Sequence, residues 1–255
     1  MMTARASGRA RRWLWLIPGL LLLAVAAFVA WGLTPLGPSA EARAALGSDS
    51  RVRVNPTSDG YEFTPASGEP TTGVIFYPGG HVDARSYALW ASDVAAKGYL
   101  VVIPVMPLSL AVLSPSAAND VIAAHPRITR WIIGGHSLGG SMAAQYANAH
   151  RDRITGLVLL ASYPPGSVDL SDSTMPVVSA LGTQDTVINR KNWNASRALL
   201  PAATSFVSIR GGNHAQFGSY GPQPGDTVRP VATPELQRAA AVDATLLVLH
   251  ANGKR

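Results

Sequence analysis

Six short apolar runs restrict the possible folds of this chain more than any other feature of its sequence. They are mostly β-branched, show no alternation of apolar with polar side chains, and lie at 73–77, 100–105, 131–133, 156–160, 177–181 and 206–209. Strands that are buried on both faces have this composition, because neither face meets water. Segments of helical length and composition lie between most of the runs, at 86–97, 117–124, 138–150, 192–200 and 234–250. This alternation predicts an α/β fold with a mostly parallel central sheet and helices on both of its faces.

A different pattern precedes the first apolar run. Two short extended segments, 51–54 and 61–64, are separated by asparagine, proline, aspartate and glycine, which are residues that reverse a chain. They predict an N-terminal antiparallel hairpin. We therefore expect one folded domain over 51–255, because a chain of this size can bury one substantial core.

The N-terminal residues differ in composition from everything that follows. Residues 1–12 contain four arginines and no acidic residue, and the 21 residues of 13–33 carry no charge. A helix of that length extends about 31 Å, which matches the hydrocarbon core of a bilayer. The pattern predicts a basic cytoplasmic leader over 1–12 and a transmembrane signal anchor over 13–33, and residues 34–50 are expected to form a linker.

The positive-inside rule then predicts a single-pass protein of the cell membrane whose domain lies outside the cytoplasm. One alternative is a cleaved secretory signal, with a small-residue cleavage site at Ala42-Arg43-Ala44, which would release a secreted domain. Another is a twin-arginine export signal at Arg11-Arg12. All three interpretations export the domain.

Charge and cysteine content exclude several classes of protein. The formal net charge is +6, but beyond residue 33 the chain has 17 basic against 15 acidic side chains, so the excess belongs mainly to the leader. No basic stripe interleaved with aromatic residues follows, and we expect no nucleic-acid partner. With no cysteine, the chain has no disulfide framework, thiolate zinc site or cysteine nucleophile.

The strongest local motif is the sequence Gly-Gly-His-Ser-Leu-Gly-Gly at 134–140, which follows one apolar run and opens a small-residue helical segment. It contains G-x-S-x-G in the strand-turn-helix context that presents a serine nucleophile. The glycines two residues before and after Ser137 allow the sharp turn, since side chains there would collide. The motif predicts Ser137 as nucleophile, with the backbone N–H of Leu138 directed at a developing oxyanion.

Partners for the serine follow in the order serine, acid, histidine. Asp185 lies on a short loop after the run at 177–181 and is the predicted acid. Asp169 and Asp172 are the competing acids. His214 follows the run at 206–209 and is the predicted general base.

The remaining histidines have other expected roles. His125, His150 and His250 lie near predicted helix ends, where we expect structural roles. His136 lies inside the motif, and we expect its side chain to pack rather than react.

The loop Tyr77-Pro78-Gly79-Gly80-His81 directly follows the first parallel strand and should lie beside the serine. We expect it to supply the second oxyanion N–H from Gly80, with His81 as the next choice. His81 and Met106 are the predicted substrate-binding residues, and ordinary core packing is the alternative role of Met106.

Four stretches resemble the α/β-hydrolase superfamily, in particular its small bacterial esterase-like and dienelactone-hydrolase-like members: 77–85, 134–140, 182–185 and 211–218. The resemblance implies an α/β-hydrolase fold and ester hydrolysis through an acyl-enzyme, without metal or organic cofactor. Dienelactone hydrolases proper use a cysteine nucleophile, so the serine here departs from that narrow activity. Only about 16 residues separate the strand after the motif from the acid strand, which is too short for a large cap domain.

The sequence thus predicts a serine esterase that acts on small carboxylic esters through Ser137, His214 and Asp185. The same triad would also serve a thioester, lactone or lipid acyl hydrolase. A non-catalytic binding module on this fold is the alternative from another class. The expected partners are the ester substrate and a membrane bound through the N-terminal helix, with no obligate protein partner.

Overall fold

A computed structural model describes residues 8–253 of the chain, with side chains from 17 to 251. The strands in this part are β1 (Val52–Pro56), β2 (Gly60–Pro65), β3 (Thr72–Tyr77), β4 (Leu100–Pro104), β5 (Arg130–His136), β6 (Ile154–Leu160), β7 (Val177–Gly182) and β8 (Ser205–Ile209). The α-helices are α1 (Gly8–Gly32), α2 (Ala40–Ala44), α3 (Ala88–Ala95), α4 (Ala118–Ala124), α5 (Leu138–Ala149), α6 (Arg190–Ala195) and α7 (Pro234–Gly253).

These strands form one sheet in the order β1-β2-β4-β3-β5-β6-β7-β8. The pairs β1–β2 and β2–β4 are antiparallel, and every later pair is parallel. The mostly parallel sheet and the N-terminal hairpin predicted from the sequence are therefore confirmed. Because the carboxyl ends of parallel strands meet at one edge, the loops after β3, β5, β7 and β8 lie together there.

The core consists of two layers, one on each face of the sheet. On one face, Phe76 packs with Trp90 of α3 and Val248 of α7. On the other face, Ile75 packs with Ala143 and Ala147 of α5. All six residues of both β3 and β7 are buried, which explains why their sequences show no alternation. Helices cover both faces, as predicted.

Residues 161–176 connect β6 to β7 and contain neither a helix nor a strand. Strand β5 ends at His136 and α5 begins at Leu138, so the turn between them lies at the carboxyl edge of the sheet. The connection 161–176 places no helix over this edge.

The prediction of a transmembrane anchor at 13–33 is wrong. Within the part of the chain that the structure describes, no helix is both long and apolar enough to cross a membrane. A run of residues without charge is necessary for a membrane span, but it is not sufficient for one. Residues 1–7 of the predicted leader lie outside the described residues.

The predicted localisation is also wrong, because it was inferred from that span. A single-pass protein of the cell membrane with its domain outside the cytoplasm, membrane localisation and a membrane as binding partner were predicted from a span over 13–33. None of these three predictions is retained.

Residues 34–50, the expected linker, pack on the rest of the chain. The hydroxyl of Ser39 caps α2 by accepting a hydrogen bond from the N–H of Ala42 at 3.2 Å, and Ala42 is fully buried. Leu36 forms an isolated parallel bridge with Val82, which follows the loop after β3. The chain before the hairpin therefore reaches the edge of the sheet where the predicted site residues lie.

Candidate active site

Ser137 lies on the turn between β5 and α5, with φ 51° and ψ −122°. A positive φ is unfavourable for a residue with a side chain and persists only where neighbouring groups hold it. Here the N–H of Ser137 donates to the carbonyl of Leu160 at 3.0 Å, and its own carbonyl accepts from the hydroxyl of Ser162 at 2.7 Å. Strand β6 and the residues directly after it thus hold the serine in its strained conformation.

The glycines around Ser137 are required by close backbone contacts. A Cβ atom at Gly139 would lie 2.2 Å from the carbonyl oxygens of Tyr77 and Pro78, and one at Gly135 would lie 2.5 Å from the carbonyl carbon of Gly139. No larger residue fits at either place without moving the backbone. The loop after β3 consequently packs directly against the turn that carries Ser137.

Asp185 and His214 form a buried pair at the same edge of the sheet. Oδ2 of Asp185 accepts a hydrogen bond from Nδ1 of His214 at 2.8 Å, and the two residues are 3% and 1% exposed. The N–H groups of Val187 and Ile188 each donate to Oδ1 at 2.9 Å. Because a carboxylate only accepts hydrogen bonds, the proton of the histidine is on Nδ1 and Nε2 carries the free lone pair.

Nε2 of His214 is buried and has no hydrogen-bond partner among the residues that the structure describes. The ring of His214 packs against His136, the residue directly before Ser137, with ring centroids 4.6 Å apart. The acid–histidine pair therefore lies beside the serine turn. An unpaired basic nitrogen in this position can accept a proton from a neighbouring group.

His136 packs in the interior, as its place in the motif suggested. The hydroxyl of Tyr87 accepts a hydrogen bond from the N–H of Gly79 at 2.9 Å and donates to Nδ1 of His136 at 2.8 Å. Burial, and then the neighbouring His214, lower the pKa of His136 well below its ordinary value. This imidazole stays neutral and links the loop after β3 to the serine turn.

The two predicted oxyanion donors are close together. A Cβ atom at Gly80 would lie 3.1 Å from Cδ2 of Leu138. Leu138 begins α5, so its N–H has no acceptor within the helix. The N–H of His81 donates to the carbonyl of Ser109 at 2.8 Å, whereas within residues 8–253 the N–H of Gly80 makes no such bond. Of the two candidates on this loop, Gly80 is the one whose donor is free.

The two predicted substrate-binding residues have different surroundings. The ring of His81 stacks on Trp31 at the end of α1. Met106 is 4% exposed, belongs to the core around Ile75, and lines a cavity of about 210 Å³ together with Pro78. Their roles in substrate binding stay predictions.

The competing residues lie elsewhere. Asp172 forms an ion pair with Arg151 at 2.8 Å on the surface, and the side chain of Asp169 accepts from the N–H of Ser171 in its own turn. His125 and His150 each bond to a carbonyl of their own helix. No group of three potential metal ligands occurs within the described residues.

Sequence reasoning missed three side chains that hold the pair in place. Gln237 of α7 is fully buried, accepts from the N–H of Asn213 at 2.9 Å and donates to its carbonyl at 2.7 Å. Asp226 accepts from the N–H of Ala215 at 2.9 Å, and Arg190 donates to carbonyls of the acid loop, including that of Thr183 at 2.9 Å. One feature of the sequence could have indicated that Gln237 is buried: it has helical spacing with the buried positions Ala241, Ala244 and Val248 of α7.

Known structures share this architecture at low sequence identity. A CIB-like hydrolase from Thermoplasma acidophilum matches with a TM-score of 0.59 at 13% identity, covering 75% of this chain and 97% of that one. Est1E from Butyrivibrio proteoclasticus, with ferulic acid bound, matches with 0.58 at 15% identity, over 78% and 96%. Dienelactone hydrolase from Anabaena variabilis matches with 0.57 at 15% identity, over 77% and 98%. No curated protein matches the chain significantly.

A family model described as "Alpha/beta hydrolase family" matches residues 73–238, which is more than half of the chain and includes every predicted catalytic residue. The resemblance predicted from the four sequence stretches is thereby confirmed. This protein belongs to the alpha/beta hydrolase family.

Proposed function

We propose that this alpha/beta hydrolase is a serine esterase that cleaves carboxylic esters through an acyl-enzyme. The observation that carries the proposal is the buried Asp185–His214 pair, whose free Nε2 lies beside the strained turn of Ser137. Serine is a weak nucleophile at neutral pH until an imidazole takes its proton, and the imidazole needs a carboxylate to hold its tautomer. The Asp185–His214 hydrogen bond and the free Nε2 beside the serine turn support this assignment of roles.

In the acylation step, Oγ of Ser137 bonds to the ester carbonyl carbon while Nε2 of His214 takes the hydroxyl proton. The carbonyl oxygen becomes an oxyanion, which accepts hydrogen bonds from the N–H groups of Gly80 and Leu138. The carbon–oxygen bond to the leaving group then breaks, and the departing alkoxide takes the proton from His214. An alcohol leaves and an acyl group remains on Ser137.

Deacylation repeats these steps with water. His214 takes one proton from a water molecule as its oxygen attacks the acyl carbon, and the oxyanion forms between the same two N–H groups. When the bond to Ser137 breaks, Oγ recovers its proton from His214. The carboxylic acid leaves, and the enzyme returns to its starting state.

Esters are the preferred substrate class for two reasons. An alkoxide is a better leaving group than an amine, so this triad needs no further acid to expel it. One structural neighbour is named as a dienelactone hydrolase, and a lactone is a cyclic ester. Thioesters and lactones are cleaved by the same sequence of steps, and a substrate panel separates them from open-chain esters.

Labelling with a fluorophosphonate probe tests the nucleophile. The wild-type protein should be labelled, and Ser137→Ala and His214→Ala should not. Ser141→Ala is a matched control, because Ser141 lies about one helical turn after Ser137 and its hydroxyl donates to the carbonyl of Tyr163. Labelling of this variant should persist. Labelling that survives Ser137→Ala unchanged would overturn the proposal.

Turnover of p-nitrophenyl esters of increasing chain length, together with a thioester and a lactone, tests the reaction. We expect hydrolysis of at least the short-chain esters, abolished by Ser137→Ala. A protein that folds but turns over no ester would instead be a binding module on this fold.

A further inference from the structure

The end of α1 and the residues after it touch the loop that carries Gly80. The Trp31 and His81 rings stack with centroids 4.0 Å apart and planes 11° from parallel, and Nε2 of His81 donates to the carbonyl of Trp31 at 2.8 Å. The N–H of Leu36 donates to the carbonyl of His81 at 2.9 Å, and the carbonyl of Leu36 accepts from Asp83 at 3.0 Å. We call residues 31–36 the clamp segment.

His81 needs such support because its backbone is strained. Its φ is 58°, in the left-handed region that residues with a side chain rarely adopt. Its N–H is held by the carbonyl of Ser109, and its other polar backbone group and its ring are both held by the clamp segment. The carbonyl of Trp31, at the end of α1, also accepts hydrogen bonds from the N–H and the hydroxyl of Thr34, each at 3.0 Å.

A second contact joins the clamp segment to the loop after β4, which in turn holds His81. A Cβ atom at Gly32 would lie 2.6 Å from Cβ of Leu108, so the backbone of α1 packs directly on that side chain. Leu108 and Ser109 both have positive φ, 50° and 56°, and Ser109 provides the carbonyl that holds His81. Movement of α1 would therefore disturb His81 through its ring and through Ser109.

His81 is bonded directly to Gly80, so the contacts that hold His81 restrict the position of the Gly80 backbone. The free N–H of Gly80 must lie within about 3 Å of an oxyanion to stabilise it. We infer that the clamp segment positions the Gly80 N–H for catalysis, and that Trp31 is a positioning residue of the active site although it never touches substrate. The inference rests on the proposed function, since it assigns a task in the same reaction.

Full-length Trp31→Ala tests the inference. We expect kcat for a p-nitrophenyl ester to fall about tenfold, less than the 10²–10³-fold that follows complete loss of an oxyanion donor, while KM changes less than about twofold. The rate of fluorophosphonate labelling should fall in parallel, because phosphonylation also develops negative charge on oxygen. Trp31→Phe retains a stacking ring and should restore most of kcat.

Leu22→Ala is the matched control for the tryptophan, since Leu22 lies on the same helix and is 71% exposed. Trp31 is itself 44% exposed, so thermal unfolding of all three variants should follow that of the wild type. If Trp31→Ala retained the kcat of Leu22→Ala, the inference would be wrong.

Gly32→Ala provides an independent test without removing a side chain. The added methyl group must displace Leu108, whereas a methyl group at Gly19 of the same helix meets nothing within 4 Å. We expect Gly32→Ala to lower kcat and Gly19→Ala to leave it unchanged, and equal kcat values in the two variants would contradict the inference. If the wild type showed no fluorophosphonate labelling dependent on Ser137, the proposed function would fail as well. If the wild type were labelled normally and Trp31→Ala kept its kcat, only the inference about the clamp segment would be overturned.

Discussion

Asp185 uses its two oxygens for different purposes. Oδ2 holds Nδ1 of His214, and Oδ1 accepts two backbone N–H groups from the turn that follows it. The carboxylate is therefore fixed in place before it meets the histidine, and it imposes one tautomer on the ring. A side chain that could also donate would lose this discrimination.

Asp185→Asn should lower kcat about 10³–10⁴-fold with little change in KM, because the amide can donate to Nδ1 and stabilise the wrong tautomer. Steady-state kinetics with a p-nitrophenyl ester measure the effect. Asp172→Asn is the control, since Asp172 is one of the two competing acids and its side chain is 75% exposed. Equal kcat values for the two variants would remove Asp185 from the proposed triad.

At the level of elements, the site depends on where strands stop and helices start. Strand β5 ends at His136 and α5 starts at Leu138, so both neighbours of Ser137 belong to regular elements and cannot relax its strained backbone. Helix α7 acts from a distance, because Gln237 holds both backbone groups of Asn213, the residue before His214. A helix that packs on one face of the sheet thereby determines the position of the proposed base.

Gln237→Ala should lower the free energy of unfolding by about 2–4 kcal/mol, because two buried backbone groups of Asn213 lose their partners. We also expect kcat to fall about tenfold as the His214 loop shifts from its position for proton transfer. Urea denaturation and ester turnover measure the two effects. Leu236→Ala, at an adjacent position that is 64% exposed, should change neither, and a Gln237→Ala variant as stable and active as this control would contradict the assignment.

At the scale of the whole molecule, four loops of the mostly parallel sheet lie at one edge. His136, a buried neutral imidazole, makes the stability at this edge depend on pH. The pKa of His136 lies well below its ordinary value of 6.5, chiefly because of burial and further because of His214. The unfolded chain therefore binds a proton at this residue that the folded chain does not bind. The contribution of His136 to stability is therefore fully present above about pH 6.5 and is lost as the pH falls below that value.

His136→Gln removes this titration and can keep an acceptor for the hydroxyl of Tyr87. Between about pH 8 and pH 5, the wild type should lose unfolding free energy, at most about 2 kcal/mol, that the variant does not lose. Urea denaturation at both pH values gives the difference. The same loss in both proteins would place the acid sensitivity at other groups.

The molecule also joins its N-terminal residues to its site. The sequence predicts an anchor over 13–33 and a linker over 34–50, yet Trp31 and Leu36 contact His81 and the residues after it. Composition describes what a segment can do alone. It does not reveal which surface the segment meets once the sheet has formed.

Local rules explain what was predictable from the sequence alone. Buried strands need continuous apolar runs, and a serine at a strand-to-helix turn needs glycine two residues away on each side, since a Cβ there would collide with backbone. The alternation of strands and helices, the motif around Ser137 and the order of Asp185 and His214 all follow from such short-range constraints. They predicted the parallel sheet, the hairpin and the family.

Tertiary structure alone decided the contacts between residues that are far apart in the chain. Gln237 lies 24 positions from Asn213 and His81 lies 50 from Trp31, and no periodicity marks either pair. It also leaves the N–H of Gly80 free while the N–H of His81 is occupied by Ser109 from a separate loop, which no sequence pattern indicates. A hydrogen bond depends on distance and direction in space, and these are defined only after the core has packed.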